Sequence, residues 1–90
     1  MAQTKKDYLI VMPDAFSKSM EKIPKTIATR LRTTVYPRLR EAPDVSDPPA
    51  IKKMKGLRKH WRYRLSDYRL VYLVDQEKRE VKLMSLAHRT

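Results

Sequence analysis

Ninety residues suffice for one domain, 1–90, and a chain this short buries only about 60–65% of its unfolded surface, which leaves room for a single core of modest size. Hydrophobic residues make up 41% and charged residues 34%, the composition of a folded domain, and the absence of cysteine excludes both a disulfide framework and a thiolate zinc site. Lysine and arginine number 21 against 10 acidic residues, a formal charge of +11 that attracts polyanions: nucleic acid first, an acidic protein wrapped around the domain second, the two being compatible.

Residues Asp7 to Met12 form an apolar, partly β-branched run closed by Pro13, which reads as a short buried strand. The run is too short for the apolar region of a signal peptide and far too short to cross a bilayer. No membrane is therefore expected as a partner, and the cytoplasm is the expected compartment. Pro13-Asp14 opens a first helix to about Lys22, with Ala15, Phe16, Ser19, Met20 and Ile23 at helical spacing. Pro24 suits the first turn of a second helix, whose apolar residues Ile23, Ile27, Leu31, Val35 and Leu39 recur at steps of four and leave a basic exterior of Lys25, Arg30, Arg32, Arg38 and Arg40. Pro37 either kinks this helix or ends it near Tyr36. The two form a helical hairpin, and the proline-rich segment from Glu41 to Ala50 is a loop.

From Ile51 the period changes to two, the period of strands. His60–Leu65, Tyr68–Val74 and Glu80 to about Leu86 make a three-stranded antiparallel meander, joined by Ser66-Asp67 and by residues 75–79. The expected fold class is α/β of the α+β kind: the N-terminal strand joins the meander in a four-stranded sheet with the helices packed on one face. The single glycine, Gly56, excludes a glycine-rich phosphate loop, and no carboxylate pair or His/Asp cluster stands out, so neither a metal nor another cofactor is expected.

A two-residue turn at Ser66-Asp67 sets Leu65 opposite Tyr68 and Arg64 opposite Arg69. Trp61, Tyr63, Leu65, Tyr68, Leu70, Tyr72 and Val74 then share the core face, while His60, Arg62, Arg64, Arg69, Val71 and Leu73 share the other. Like charges directly opposed across strands are destabilising. An anion held between planar, permanently charged guanidinium forks accounts for them. With the last turn centred on Glu77-Lys78, Val74 faces Val81 and Leu70 faces Ser85, which puts Lys82, Met84, Leu86 and then His88 on the arginine face, with Arg89 at its edge. His88 is the candidate for proton transfer because its unperturbed pKa lies near neutrality, and His60 ranks below it at the strand start. Lys52, Lys53, Lys55, Arg58 and Lys59 add positive charge next to the first hairpin strand and, with Lys82, are candidates to guide RNA.

The segments Met54-Lys55-Gly56-Leu57-Arg58, Trp61-Arg62-Tyr63-Arg64-Leu65, Asp67-Tyr68-Arg69-Leu70-Val71-Tyr72 and Ala87-His88-Arg89 resemble the RelE/ParE superfamily of bacterial toxins over nearly the whole chain. Its RelE-like members cut messenger RNA in the ribosomal A site and are silenced by a cognate acidic antitoxin, through which alone such toxins reach operator DNA. The resemblance implies a metal-independent endoribonuclease with Arg62, Arg64, Arg69, His88 and Arg89 as catalytic residues. RelE itself has lysines where Arg62 and Arg64 stand. RelE-type chains commonly continue into a last helix with a catalytic tyrosine, whereas this sequence stops at Thr90 and its Tyr63, Tyr68 and Tyr72 share the expected core face. Two alternatives carry the same charge: a ParE-like inhibitor of DNA gyrase that cuts no RNA, and an RNA-binding module without chemistry.

Overall fold

A computed structural model describes residues 8–45, 50–56 and 59–88. Strand β1 (Leu9–Val11) leads into helix α1 (Asp14–Met20), then α2 (Lys25–Arg30), a π-turn segment (Leu31–Val35) and α3 (Tyr36–Glu41), followed by β2 (Ile51–Lys53), β3 (His60–Leu65), β4 (Tyr68–Asp75) and β5 (Glu80–His88). The five strands lie in the order β1-β5-β4-β3-β2, with β1 parallel to β5 and every other neighbouring pair antiparallel. The sheet thus has one strand more than the alternation predicts. Ile51–Lys53 adds to the edge of β3, and the ladder continues beyond it through the Arg64 N–H, which donates to the Ala50 carbonyl at 2.7 Å. Among the described residues no helix is long and apolar enough to cross a membrane.

The second helix neither ends at Tyr36 nor runs as a regular α-helix. Pro37 has no N–H to offer the carbonyl four residues back, and its ring crowds that carbonyl. The chain widens one turn earlier, where the Tyr36 N–H bonds to the Leu31 carbonyl five residues back. A strict four-residue repeat drifts by about 40° per step on an ordinary α-helix. The wide turn offsets part of that drift, and Ile27, Leu31, Val35 and Leu39 are all buried.

These four, with Phe16 from α1, pack onto the sheet face that carries Trp61, Leu65, Leu70, Tyr72, Val74, Val81, Leu83 and Leu86, and together they form one cluster. Each such side chain contributes about 1.5–3 kcal/mol on leaving water. β1 is fastened at its N-terminal end. The Tyr8 N–H donates to the Arg40 carbonyl and the Leu9 N–H to the Arg79 carbonyl, both at 2.8 Å, while the Arg79 guanidinium lies 4.3 Å from the centre of the Tyr8 ring.

The loop after α3 is tied to the core from beneath. Fully buried Tyr72 donates its hydroxyl to the Pro43 carbonyl at 2.9 Å. Burial pushes its pKa well above that of free tyrosine, outweighing the opposing pull of the Arg38 charge.

Strand β5 departs from simple alternation. Val74 pairs with Val81 as the turn length requires, but a bulge opposite the Val71/Tyr72 step makes Leu70 face Leu86 instead of Ser85. One extra residue inverts the alternation for the rest of the strand. Leu86 is 8% exposed in the core, where unbroken alternation puts it on the arginine face, and Met84 is 43% exposed.

Two outcomes follow. Leu86→Ala destabilises by about 2–4 kcal/mol in urea unfolding, whereas Met84→Ala, which opens no cavity, changes stability by less than about 0.5 kcal/mol. Tyr72→Phe costs about 1–2 kcal/mol at neutral pH, because the Pro43 carbonyl loses its partner. Unfolded tyrosine ionises near pH 10 while folded Tyr72 stays protonated, so the native stability due to this group is complete below about pH 10 and falls as the pH rises above it. The gap between native and Tyr72→Phe protein therefore narrows above pH 10, which stability curves at pH 7 and pH 11 measure.

Candidate functional site

With helices on one face, the other face of the sheet is open, and register decides what it displays. The Ser66-Asp67 turn, with a left-handed φ of 56° at Ser66, sets Arg64 opposite Arg69 and Leu65 opposite Tyr68, as its two-residue length requires. Arg62 pairs with Val71 on one side and Lys52 on the other. Arg62, Arg64, Arg69 and Lys52 therefore project from one patch at the hairpin end of the open face, Arg64 and Lys52 exposed and Arg62 and Arg69 half-buried.

The electrostatics of the patch are one-sided. Among the described residues no carboxylate pairs with Arg62, Arg64 or Arg69, and the buried Nε of Arg69 has no hydrogen-bond acceptor. Directly opposed arginines repel by a few tenths to 1 kcal/mol, and a buried guanidinium donor without an acceptor adds a further cost. An anion with oxygens to accept from several donors relieves both. A phosphate fits the planar guanidinium fork, which stays charged at any physiological pH. Lys82, opposite Leu73 on the same face, extends the positive charge toward β5, and His60 stands on that face beside Leu73.

Other candidates lie elsewhere. The bulge carries His88 to the helical side of the sheet, opposite Tyr68, whose ring it meets edge-on with centroids 5.1 Å apart. The expectation that His88 joins the arginine face is thus corrected: it assumed uninterrupted alternation along β5. Lys53 pairs with Trp61 and so faces the helical side, where it and Lys59 line a cleft of about 340 Å³ with Asp44, Trp61, Gln76 and Glu77. Lys55 is exposed in the turn after β2. Arg58 and Arg89 lie outside the described residues. A second groove, of about 560 Å³, runs between the end of α1 and the sheet, lined by Lys18, Lys22, Ile23, Tyr68 and Leu86.

Sequence reasoning passed over both hollows and the flip of His88. One signal for the flip was present. The apolar residues of the last strand fall at Val81, Leu83 and Leu86, with Ser85 where the next core residue belongs, and that three-residue step is what a bulge leaves in a sequence.

The fold has close counterparts. The isolated RelE toxin of E. coli superposes with a TM-score of 0.78 at 26% identity, over 92% of this chain and 85% of that one. RelE in the archaeal RelE–RelB complex from Pyrococcus horikoshii OT3 gives 0.79 at 24% identity, over 92% and 96%. The intact E. coli RelBE toxin–antitoxin complex gives 0.75 at 25% identity, over 92% and 96%. No curated protein matches the sequence significantly. The family described as ParE toxin of type II toxin-antitoxin system, parDE, matches residues 10–90. With nine-tenths of its length inside that match and the fold of the RelE toxins around an unpaired arginine patch, the chain belongs to the RelE/ParE superfamily and is the toxin of a type II toxin–antitoxin system.

Proposed function

We propose that this toxin is a ribosome-dependent endoribonuclease that cuts translated messenger RNA in the A site, in the cytoplasm, and that the open face of the sheet is its active surface. The observation that supports this reading is the unpaired cluster of Arg62, Arg64 and Arg69, whose guanidinium forks suit phosphate oxygens and meet no carboxylate among the described residues.

The reaction is attack of a ribose 2′-hydroxyl on the adjacent phosphorus. The 2′-O–P bond forms, the P–O5′ bond breaks, and the products are a 2′,3′-cyclic phosphate and a 5′-hydroxyl. Charge grows on the non-bridging oxygens as the transition state is reached, and the three guanidiniums stabilise it without changing protonation. Lys52 and Lys82 hold neighbouring phosphates. Arginine cannot exchange a proton at neutral pH. Of the two histidines, His60 is on the active face, so proton transfer falls to it or to groups of the RNA and ribosome, and His88 is left outside the chemistry. The partner that silences the toxin is an acidic antitoxin, whose charge offsets the +11 of this chain.

The reading competes with a gyrase inhibitor of the same fold, and one experiment separates them. Brief expression followed by mapping of message ends and DNA breaks should give cuts within translated codons and intact chromosomal DNA; DNA breaks with intact messages would sink the nuclease. Arg64→Ala/Arg69→Ala should lower cleavage by about 10²–10³-fold. The same variant should lose less than about 1 kcal/mol of stability, because the repulsion it removes offsets the packing lost with the half-buried stem of Arg69. A matching loss of stability would make the pair structural. His88→Ala should leave cleavage within about twofold, and a loss comparable to that of the arginine variant would restore His88 to the active site.

A further inference from the structure

The open face is ordered along its strands as well as across them. Nearest the hairpin turn is the row Arg64, Arg69, Ala87. The next row away from the turn is Lys52, Arg62, Val71, Ser85, and the third is His60, Leu73, Lys82, Val11. The fourth reverses sign: Asp75 faces Glu80, with Leu9 beyond. Successive rows lie two residues apart on a strand, about 6.8 Å, a spacing within reach of one nucleotide of extended single-stranded RNA. Three basic rows are therefore stopped by an acidic one. At the opposite end the turn carries another exposed carboxylate, Asp67.

The acidic row resembles the arginine pair in being directly opposed like charge. Asp75 has a structural use, since its Oδ1 accepts the Lys78 N–H at 3.1 Å within the β4–β5 turn. Glu80 has no such bond among the described residues. The columns differ as well. β2 and β3 present Lys52, His60, Arg62 and Arg64, while the middle of β4 presents the half-buried aliphatic side chains of Val71 and Leu73. Single-stranded RNA has the same division, with phosphates along one side and base faces along the other.

We infer that the open face holds a stretch of single-stranded RNA of three phosphates, laid along β3 with its bases toward Val71 and Leu73, and that Asp67 at one end and Asp75 with Glu80 at the other limit the footprint. This rests on the proposed function, because it takes the open face to be the RNA surface. A fourth phosphate in register would lie beside the two carboxylates, within the distance over which salt leaves charges visible to each other.

The test uses 5′-phosphorylated 2′-O-methyl oligoribonucleotides of three, six and nine residues, which lack the attacking hydroxyl and are not cut. Affinity is followed against salt concentration by fluorescence anisotropy. Each phosphate of a single strand contributes a slope of about −0.7 in log K against log salt, so the native protein should give about −2 at all three lengths. Asp67→Asn/Asp75→Asn/Glu80→Gln should bind the six- and nine-residue strands about three- to tenfold more tightly with a steeper slope, and the three-residue strand within about twofold. Glu80→Gln alone keeps the Asp75 turn bond and should give about a threefold gain for the longer strands, which carries the test if the triple variant does not fold. Leu73→Ala should weaken every length without altering the slope.

A slope that grows in proportion to length in the native protein overturns the bounded footprint, as does Glu80→Gln binding the longer strands unchanged. Either result alongside message cleavage in cells leaves the proposed function standing. A bounded footprint without message cleavage does the reverse, and no binding at any length overturns the footprint, the cleavage map alone then deciding the proposed function.

Discussion

The sheet of this toxin has one covered face and one bare face, and the two-residue turn at Ser66-Asp67 decides which side chains each receives. Side chains alternate along a strand, so one residue more in that turn would set Leu70 and Tyr72 of β4 on the open face and Arg69 in the core while Trp61 and Leu65 of β3 kept their side. The helices would then cover a face with a charge in it. The apolar cluster that stabilises the fold and the cationic patch proposed as its active surface are thus two results of a single register. The fold can carry so repulsive a patch because the opposite side of the same strands is fully packed.

The long helix meets the sheet under a similar constraint. Its apolar residues are spaced for a turn wider than an α-helix, and Pro37 makes a regular turn impossible one step later. The π-turn at Leu31–Val35 satisfies both demands at once, and keeps Val35 and Leu39 over the sheet. The segment after the helix then passes close enough for Pro43 to accept the Tyr72 hydroxyl from within the core, which ties the approach to β2 to the strand that carries Arg69. A break in that bond reaches the patch through β4, without touching any arginine.

Most of this was legible from the residues. The arginine face was readable because it depends on local facts: a turn of fixed length and strict alternation on either side of it. The edge strand β2 was harder, since three residues carry too little period to be told from a basic loop, and its pairing partner lies across a turn. His88 was misplaced for a third reason. Its side of the sheet depends on every residue between it and the β4–β5 turn keeping step, and the bulge opposite Val71 breaks step once. An error in register accumulates along a strand, so positions far from the turn are the ones that alternation places worst. Arg64 is two residues from its turn and His88 is nine from Arg79.

Charge distribution sets which partners the toxin attracts. Bringing Arg64 against Arg69 costs stability in the free protein, and the +11 net charge adds a diffuse repulsion on top. Both penalties would fall on binding a polyanion, whether the RNA proposed for the open face or an acidic chain around the domain. Stability given up in the free state returns as binding free energy in either complex, because the ligand relieves a strain that is already present. Two such ligands would draw on the same unpaired cations, so occupancy by one would reduce what the other gains. An acidic partner therefore need not cover the arginines to weaken RNA binding; lowering the potential over the open face is sufficient within a Debye length of about 8 Å at physiological salt. Under the proposed function, the toxin would be restrained by the same excess of positive charge that arms it.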